Sequence, residues 1–194
     1  MILGITGPSG AGKGTVCGLL KAHGFHHIDT DILAREVVPE TLPRLVETFG
    51  DILNEDGSLN RAALAKKAFS SAENTAALNK IMHGAIMDRT REIIEQKKAN
   101  GCDKFLIDGA ALFEANATEL CDYTIAVLCD RKTRLLRVMQ RDNITEQQAT
   151  ERFSRQLSDD FFRENTDFTV MNNDLADTEK QLSEILNIIH GGKK

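Results

Sequence analysis

The chain predicts an α/β fold: a five-stranded, mostly parallel sheet with helices on both faces. Three observations predict it. Short apolar runs at Ile2 to Thr6, His26 to Ile28, Lys104 to Ile107, Tyr123 to Leu128 and Phe168 to Met171 alternate with longer stretches of helical periodicity. The first run feeds directly into a glycine-rich turn, Gly7-Pro8-Ser9-Gly10-Ala11-Gly12-Lys13-Gly14-Thr15, and then into the amphipathic stretch Val16 to Ala22. With 194 residues, 41% hydrophobic and 27% charged, the chain also has the material for one domain with a real core. A compact fold of that size buries roughly 70% of its unfolded surface.

The first turn has the spacing Gly, four residues, Gly-Lys. That spacing lets successive backbone N–H groups converge on phosphate oxygens, Lys13 brings a positive charge on a flexible stem, and the next helix presents its positive end. A strand before and a helix after are the context the motif requires, so the segment reads as a phosphate-binding loop. Chemistry on a nucleoside triphosphate becomes the leading functional class. Gly14 stands where the common pattern has Ser or Thr, and the hydroxyl reappears one residue later as Thr15. Three ways of holding Mg²⁺ therefore stay open: Thr15, water, or carboxylates.

The second run ends in Ile28-Asp29-Thr30-Asp31, at the sheet edge from which the glycine-rich loop also emerges. If the chain stays extended, residues two apart point the same way and both carboxylates face an incoming acceptor. If the helical signal of Ile32 to Val38 begins here instead, Asp29 is an N-cap and Asp31 complements the helix dipole. A catalytic role for Asp31 is the favoured reading. From Thr41 to Asn100 the pattern is nearly all helical, over Leu42 to Phe49, Arg61 to Phe69 and Asn74 to Gln96, with a turn at Asn54-Glu55-Asp56-Gly57-Ser58 and Asn60 as an N-cap. We expect a helical substrate-binding insertion, 41–100, in a single domain 1–194 whose core comprises 1–40, 101–144 and 164–194. His83 and the pair His26-His27 have no nucleophile or metal partner nearby in sequence, and such histidines are usually structural.

Asp108 closes the third strand and stands where phosphate-loop enzymes carry an acid that positions Mg²⁺. Glu114, in Leu112-Phe113-Glu114, reads equally as an acceptor contact or as an exposed glutamate at a helix start. Between Arg131 and Arg155 lie seven basic residues (Arg131, Lys132, Arg134, Arg137, Arg141, Arg152, Arg155) against three acidic ones (Asp142, Glu146, Glu151). A cationic segment in an acidic chain suggests a small anionic ligand. Its second half, 145–163, opens with the capping pattern Thr145-Glu146-Gln147-Gln148 and reads as a helical lid. Arg152 and Arg155, three apart, would share one helical face and fold down over phosphates.

The net charge of −5 and pI near 5.6 argue against broad binding to nucleic acid or an anionic membrane surface. Cys17, Cys102, Cys121 and Cys129 show neither a Cys-x-x-Cys pair nor zinc spacing, and so read as small buried hydrophobes in a reducing compartment. The chain opens on a core strand and nowhere offers about 18 consecutive apolar residues, so a cytoplasmic location is expected. Disorder is expected only in the Gly-Gly-Lys-Lys tail.

Taken together, the loop Gly7 to Thr15, the run Ile28-Asp29-Thr30-Asp31-Ile32-Leu33-Ala34-Arg35-Glu36-Val37-Val38 and the stretch from Phe49-Gly50 to Asp56-Gly57-Ser58-Leu59-Asn60-Arg61 resemble the dephospho-CoA kinases. The likeness continues in order through Leu78-Asn79-Lys80-Ile81-Met82-His83, Leu112-Phe113-Glu114, Val138-Met139-Gln140-Arg141-Asp142, Arg155-Gln156 and Asn172-Asn173, covering nearly the whole chain. The resemblance implies a phosphate-loop nucleotide-kinase fold and transfer of the ATP γ-phosphoryl group to the ribose 3′-hydroxyl of dephospho-CoA, with Mg²⁺. It implies that Gly10, Ala11, Gly12, Lys13, Gly14 and Thr15 hold the triphosphate with Arg137 and Asn172, and that Thr15 serves the metal. Asp31 would be the base, Lys13 and Arg141 would neutralise charge during transfer, and Asp31, Arg35, His83, Glu114 and Arg155 would meet the acceptor. Gly14 in place of Ser, Gly84 and Ala110 in place of Pro, and Ala115 in place of Asn depart from the family pattern. The rival readings are a nucleoside monophosphate kinase, which shares loop, sheet and lid, and a nucleotide sensor that binds without transfer.

Overall fold

The computed structural model describes residues 1–191; the last three residues of the Gly-Gly-Lys-Lys end lie outside the described residues. The five apolar runs are the five strands: β1 (Ile2–Thr6), β2 (His26–Asp29), β3 (Phe105–Asp108), β4 (Tyr123–Leu128) and β5 (Phe168–Met171). They form one sheet in the order β2-β3-β1-β4-β5, and β1 pairs in parallel with β3 and β4 while β4 pairs in parallel with β5. The chain divides into two compact units, Met1–Ile28 with the chain from Asp103 onward, and Asp29–Cys102.

In the first unit the period of two along β4 shows why both faces of the sheet are covered. Ile125 and Val127 join Leu3 and Ile5 of β1 in a core closed by Val16 and Leu20 of α1 (Lys13–Ala22) and by Leu182, Ile185 and Ile189 of a C-terminal helix. Their neighbours Ala126 and Leu128 face the other way and pack on Phe162. A fully buried residue of this size contributes roughly 1.5–3 kcal/mol, so a strand buried on both faces reads as the unbroken apolar run seen in the sequence. Where β1 leaves the sheet, a Cβ on Gly7 would lie 2.2 Å from the Val127 carbonyl oxygen, so the backbone approach itself demands glycine there.

The second unit is helical: α2 (Thr30–Glu36), α3 (Val38–Phe49), α4 (Arg61–Ala68) and α5 (Ala72–Ala99). Leu45, Phe49, Ile52, Leu64, Ala68 and Ile81 form its core. Asn60 caps α4 by accepting the Ala63 N–H at 2.9 Å, as the sequence predicts. The helix expected from Leu42 starts earlier, at Val38, because Pro39 sits in its first turn, where a missing N–H costs nothing. Leu53 and Leu59 bridge antiparallel around the expected turn, whose Gly57 has φ +81°.

Back in the first unit, α6 (Arg131–Asp142) is followed by two short helices, α7 (Glu146–Ser154) and α8 (Asp159–Asn165), where the sequence suggested one excursion. Thr145 and Gln148 form the predicted capping box on α7. The break arises because Ser158 caps a new helix through the Phe161 N–H. Ala149 and Phe153 of α7 are buried against Val138 of α6. The last helix, α9 (Leu175–Gly191), completes the layer described above. Among the described residues no helix is long and apolar enough to cross a membrane.

Candidate active site

The loop between β1 and α1 carries positive φ at Gly7 (143°), Gly10 (80°) and Gly12 (88°), the left-handed backbone that turns successive amides to one side. The first turn of any helix leaves N–H groups without an intrahelical partner. At α2 Asp29 takes two of them, at α4, α5, α7 and α8 a side chain of Asn60, Ser71, Thr145 or Ser158 takes one, and α3 and α6 begin without a side-chain cap. At α1 the N-cap is Gly12, no side chain caps it, and the first turn holds no acid. The amide dipoles of that end are thus left for an anion.

What fastens the loop acts mostly on its carbonyls. Arg137 Nη1 donates to the Gly10 carbonyl at 3.4 Å and to the Asn172 carbonyl at 3.2 Å. Asn172 Nδ2 donates to the Ala11 carbonyl at 2.8 Å, and the Thr178 hydroxyl donates to Asn172 Oδ1 at 3.1 Å. Arg134 Nε donates to the Ser9 carbonyl at 3.2 Å and its Nη1 meets Asp159 at 2.8 Å, while its guanidinium lies 4.7 Å above the Phe153 ring. Gln156 completes the clamp, accepting the Ser9 N–H at 3.2 Å and donating to Ser9 Oγ at 2.9 Å. Asn172 and Arg134 are 4% and 6% exposed, so their bonds are shielded from water and correspondingly strong. The roles of Arg134, Gln156 and Thr178 are not legible in the sequence. The basic run flags Arg134, yet nothing local says which of its seven members turns inward.

Lys13 Nζ lies 3.4 Å from Asp108 Oδ1, and His27 Nε2 lies 3.3 Å from Asp108 Oδ2. The strand-end acid therefore stands beside the loop lysine. Thr15 is exposed in the first turn of α1.

The other anticipated residues fall into place differently. Asp29 and Asp31 do not form the extended pair. Asp29 Oδ1 accepts the N–H groups of Asp31 (2.9 Å) and Ile32 (3.1 Å), because α2 begins at Thr30 and its exposed amides recruit the nearest carboxylate. Asp31 and Arg35 lie exposed on α2, and His83 is half-buried on α5, all in the helical unit. Glu114 is exposed in the irregular turns after β3, not at the start of a helix; the short 3₁₀ turn Ala117–Leu120 follows it.

Arg141, the proposed transfer arginine, grips its neighbour Asp142 with two hydrogen bonds of 2.7 and 2.9 Å, and Arg152 reaches the same carboxylate. Arg155 is the exposed C-cap of α7. Hydrogen bonds from Arg141, then Arg152, hold the Asp142 carboxyl well below the usual carboxylate range. A depressed folded pKa adds stability that is fully present above the ordinary aspartate value and is lost as pH falls through the folded one. In a carboxyl NMR titration Asp142 is thus expected to stay ionised to lower pH than an aspartate of ordinary value, and Arg152→Ala to move its midpoint upward. A midpoint at the ordinary aspartate value would show the junction of α6 and α7 to be open.

The family model described as CoaE, dephospho-CoA kinase, matches residues 1–177. A dephospho-CoA kinase of Bacillus cereus is 36% identical over 192 residues, with 96% of each protein covered. Among solved structures, a Thermus thermophilus protein matches with TM-score 0.83 at 24% identity, over 100% of this chain and 98% of that one. The dephospho-CoA kinase from Campylobacter jejuni matches with TM-score 0.68 at 22% identity, over 100% and 98%.

Proposed function

The chain belongs to the dephospho-CoA kinase family, and from that premise we propose that it transfers the γ-phosphoryl group of ATP to the ribose 3′-hydroxyl of dephospho-CoA, the last step of coenzyme A formation. The observation that carries the reading is the uncapped N-terminus of α1, flanked by Lys13 and built from the glycine loop. In the transfer the 3′-oxygen bonds to the γ-phosphorus, the bond from that phosphorus to the β–γ bridging oxygen breaks, and ADP leaves. The hydroxyl proton passes to the Asp31 carboxylate. Phosphoryl transfer has a loose transition state, so holding the reactants in line and neutralising oxygen charge matters more than removing the proton.

Residues Gly10 to Thr15 hold the triphosphate, Arg137 and Asn172 keep the loop open to it, and Arg141 and Arg155 add positive charge around the transferred group. Mg²⁺ fits the donor set here: the Thr15 hydroxyl and the Asp108 carboxylate are hard oxygen ligands. When bound, the ion neutralises phosphate oxygens. Arg35 and His83 in the helical unit and Glu114 in the first unit are the residues assigned to the acceptor. The helical unit carries an open, mostly apolar cleft of about 260 Å³ whose lining includes Leu45, Leu59, Leu64, Leu78 and Met82 with Arg61 as its charged member, which suits the uncharged pantetheine arm. The cytoplasm is the assigned compartment, in keeping with cysteines that show neither a Cys-x-x-Cys pair nor zinc spacing along the chain.

An acceptor panel tests the reaction. With Mg-ATP and dephospho-CoA the expected products are ADP and a species heavier by one phosphoryl group. Phosphorylation of a nucleoside monophosphate in place of dephospho-CoA would identify a nucleoside monophosphate kinase, and ATP binding without transfer to any acceptor would identify a sensor. Asp31→Asn is expected to turn over poorly while calorimetry still records ATP binding. Lost binding with normal chemistry per bound complex would make Asp31 structural.

A further inference from the structure

Cys17, His27 and Asp108 are far apart in sequence, yet one ligating atom from each falls within 4.8 Å of the other two. Cys17 lies one turn along α1 from Lys13, on the same helical face. His27 comes from β2 and Asp108 from the end of β3. His27 Nε2 and Asp108 Oδ2 are 3.3 Å apart, a hydrogen-bonding distance that is also close to the edge, about 3.3–3.6 Å, of a tetrahedron whose ligands stand about 2.0–2.2 Å from a central ion. Cys17 is 2% exposed, while the side chains of His27 and Asp108 are 22% and 13% exposed, so the cluster is buried on its thiol side and open on the other. A thiolate, an imidazole and a carboxylate form a donor set for zinc and its neighbours, with a fourth position left for water. They are a poor set for Mg²⁺, which selects oxygen.

We propose that Cys17, His27 and Asp108 form an inhibitory site for a zinc-class divalent cation, in which the bound ion claims the Asp108 carboxylate that otherwise faces Lys13. Binding ties the thiolate to the carboxylate and releases the Cys17 proton to solvent. The inhibitory part rests on the kinase reading above, because it needs Asp108 and Lys13 to serve transfer from ATP. The binding part does not.

Co²⁺ titrated into the full chain is the probe for binding. One equivalent should bind with a thiolate-to-cobalt charge-transfer band, and Zn²⁺ should displace it and raise the melting temperature. Cys17→Ser should abolish the band, and both Cys17→Ser and His27→Gln should weaken Zn²⁺ binding by at least ~10-fold, the lower end of what losing even a supporting group costs. No band in the wild type, or a band that survives in Cys17→Ser, overturns the site; if Cys17→Ser fails to fold, undiminished Zn²⁺ affinity in His27→Gln overturns it. Turnover of dephospho-CoA at saturating Mg²⁺ and buffered free Zn²⁺ then tests inhibition. The wild type should lose at least ~10-fold in rate at Zn²⁺ levels that fill the site, and Cys17→Ser should resist. Zinc that binds without slowing turnover overturns the inhibitory role. Cobalt binding by an enzyme inert toward dephospho-CoA would overturn the kinase reading and leave the site standing.

Discussion

Replacing Lys13 with alanine is expected to lower kcat by at least ~10²-fold, the scale of removing one preorganised electrostatic group from a transfer site. The fold should survive. Lys13 sits in the first turn of α1 with its side chain 21% exposed, and the apolar residues of that helix, Val16 and Leu20, hold it to the sheet without help from the ammonium. Its contact in the structure is with Asp108, at 3.4 Å. The pair is partly shielded, but His27 stays beside Asp108 when the ammonium is removed, so the melting temperature should change little. Steady-state kinetics with a thermal melt on the same sample checks both halves. Wild-type turnover in Lys13→Ala would remove the lysine from the mechanism.

Gly12→Ala is expected to weaken ATP binding by at least ~10-fold, which takes about 1.4 kcal/mol. The alanine Cβ would lie 2.0 Å from Asn172 Nδ2, and φ at this position is +88°. The left-handed backbone alone costs roughly 1–2 kcal/mol for a residue with a Cβ. Relief of the clash requires the Asn172 amide to swing away from the Ala11 carbonyl and the Thr178 hydroxyl, which strands buried polar groups at roughly 1–3 kcal/mol. Asn172→Ala removes the obstacle as well as the clamp. The two substitutions should therefore be non-additive, with the double variant binding ATP better than the sum of the single losses predicts. Calorimetric titration of the four proteins measures this coupling. Wild-type affinity in Gly12→Ala would mean that the amides of this loop do not meet the phosphates.

The strands and the starts of α4 and α7 were legible because their causes are local. A run such as Tyr123 to Leu128 is continuous in apolar character because both of its faces are buried, and no partner need be known to recognise it. The caps at Asn60 and Thr145 join residues three apart, within one turn. Legibility failed where two local answers competed. Asp29 and Asp31 satisfy both an extended pair and a helix start, and the helix won because Asp29 can satisfy two amides of α2 at once. The basic run failed for another reason: Arg134, Arg137 and Arg141 look alike in sequence. In the fold the first is buried over Phe153, the second grips the loop carbonyls and the third is bound to Asp142.

Read alone, the amino-acid order determined the five strands, the glycine cradle behind β1 and the family, since each depends on neighbours along the chain or on blocks in register. Only the tertiary structure decided which side chains brace the cradle and which gather beneath Lys13. Asn172 reaches Ala11 from 161 residues away, Gln156 reaches Ser9 from 147, and His27 meets Asp108 across 81. Contacts of that span are set by how strands are ordered in the sheet and by which helix face turns inward. Both are outcomes of packing the whole core, which no short window of residues contains.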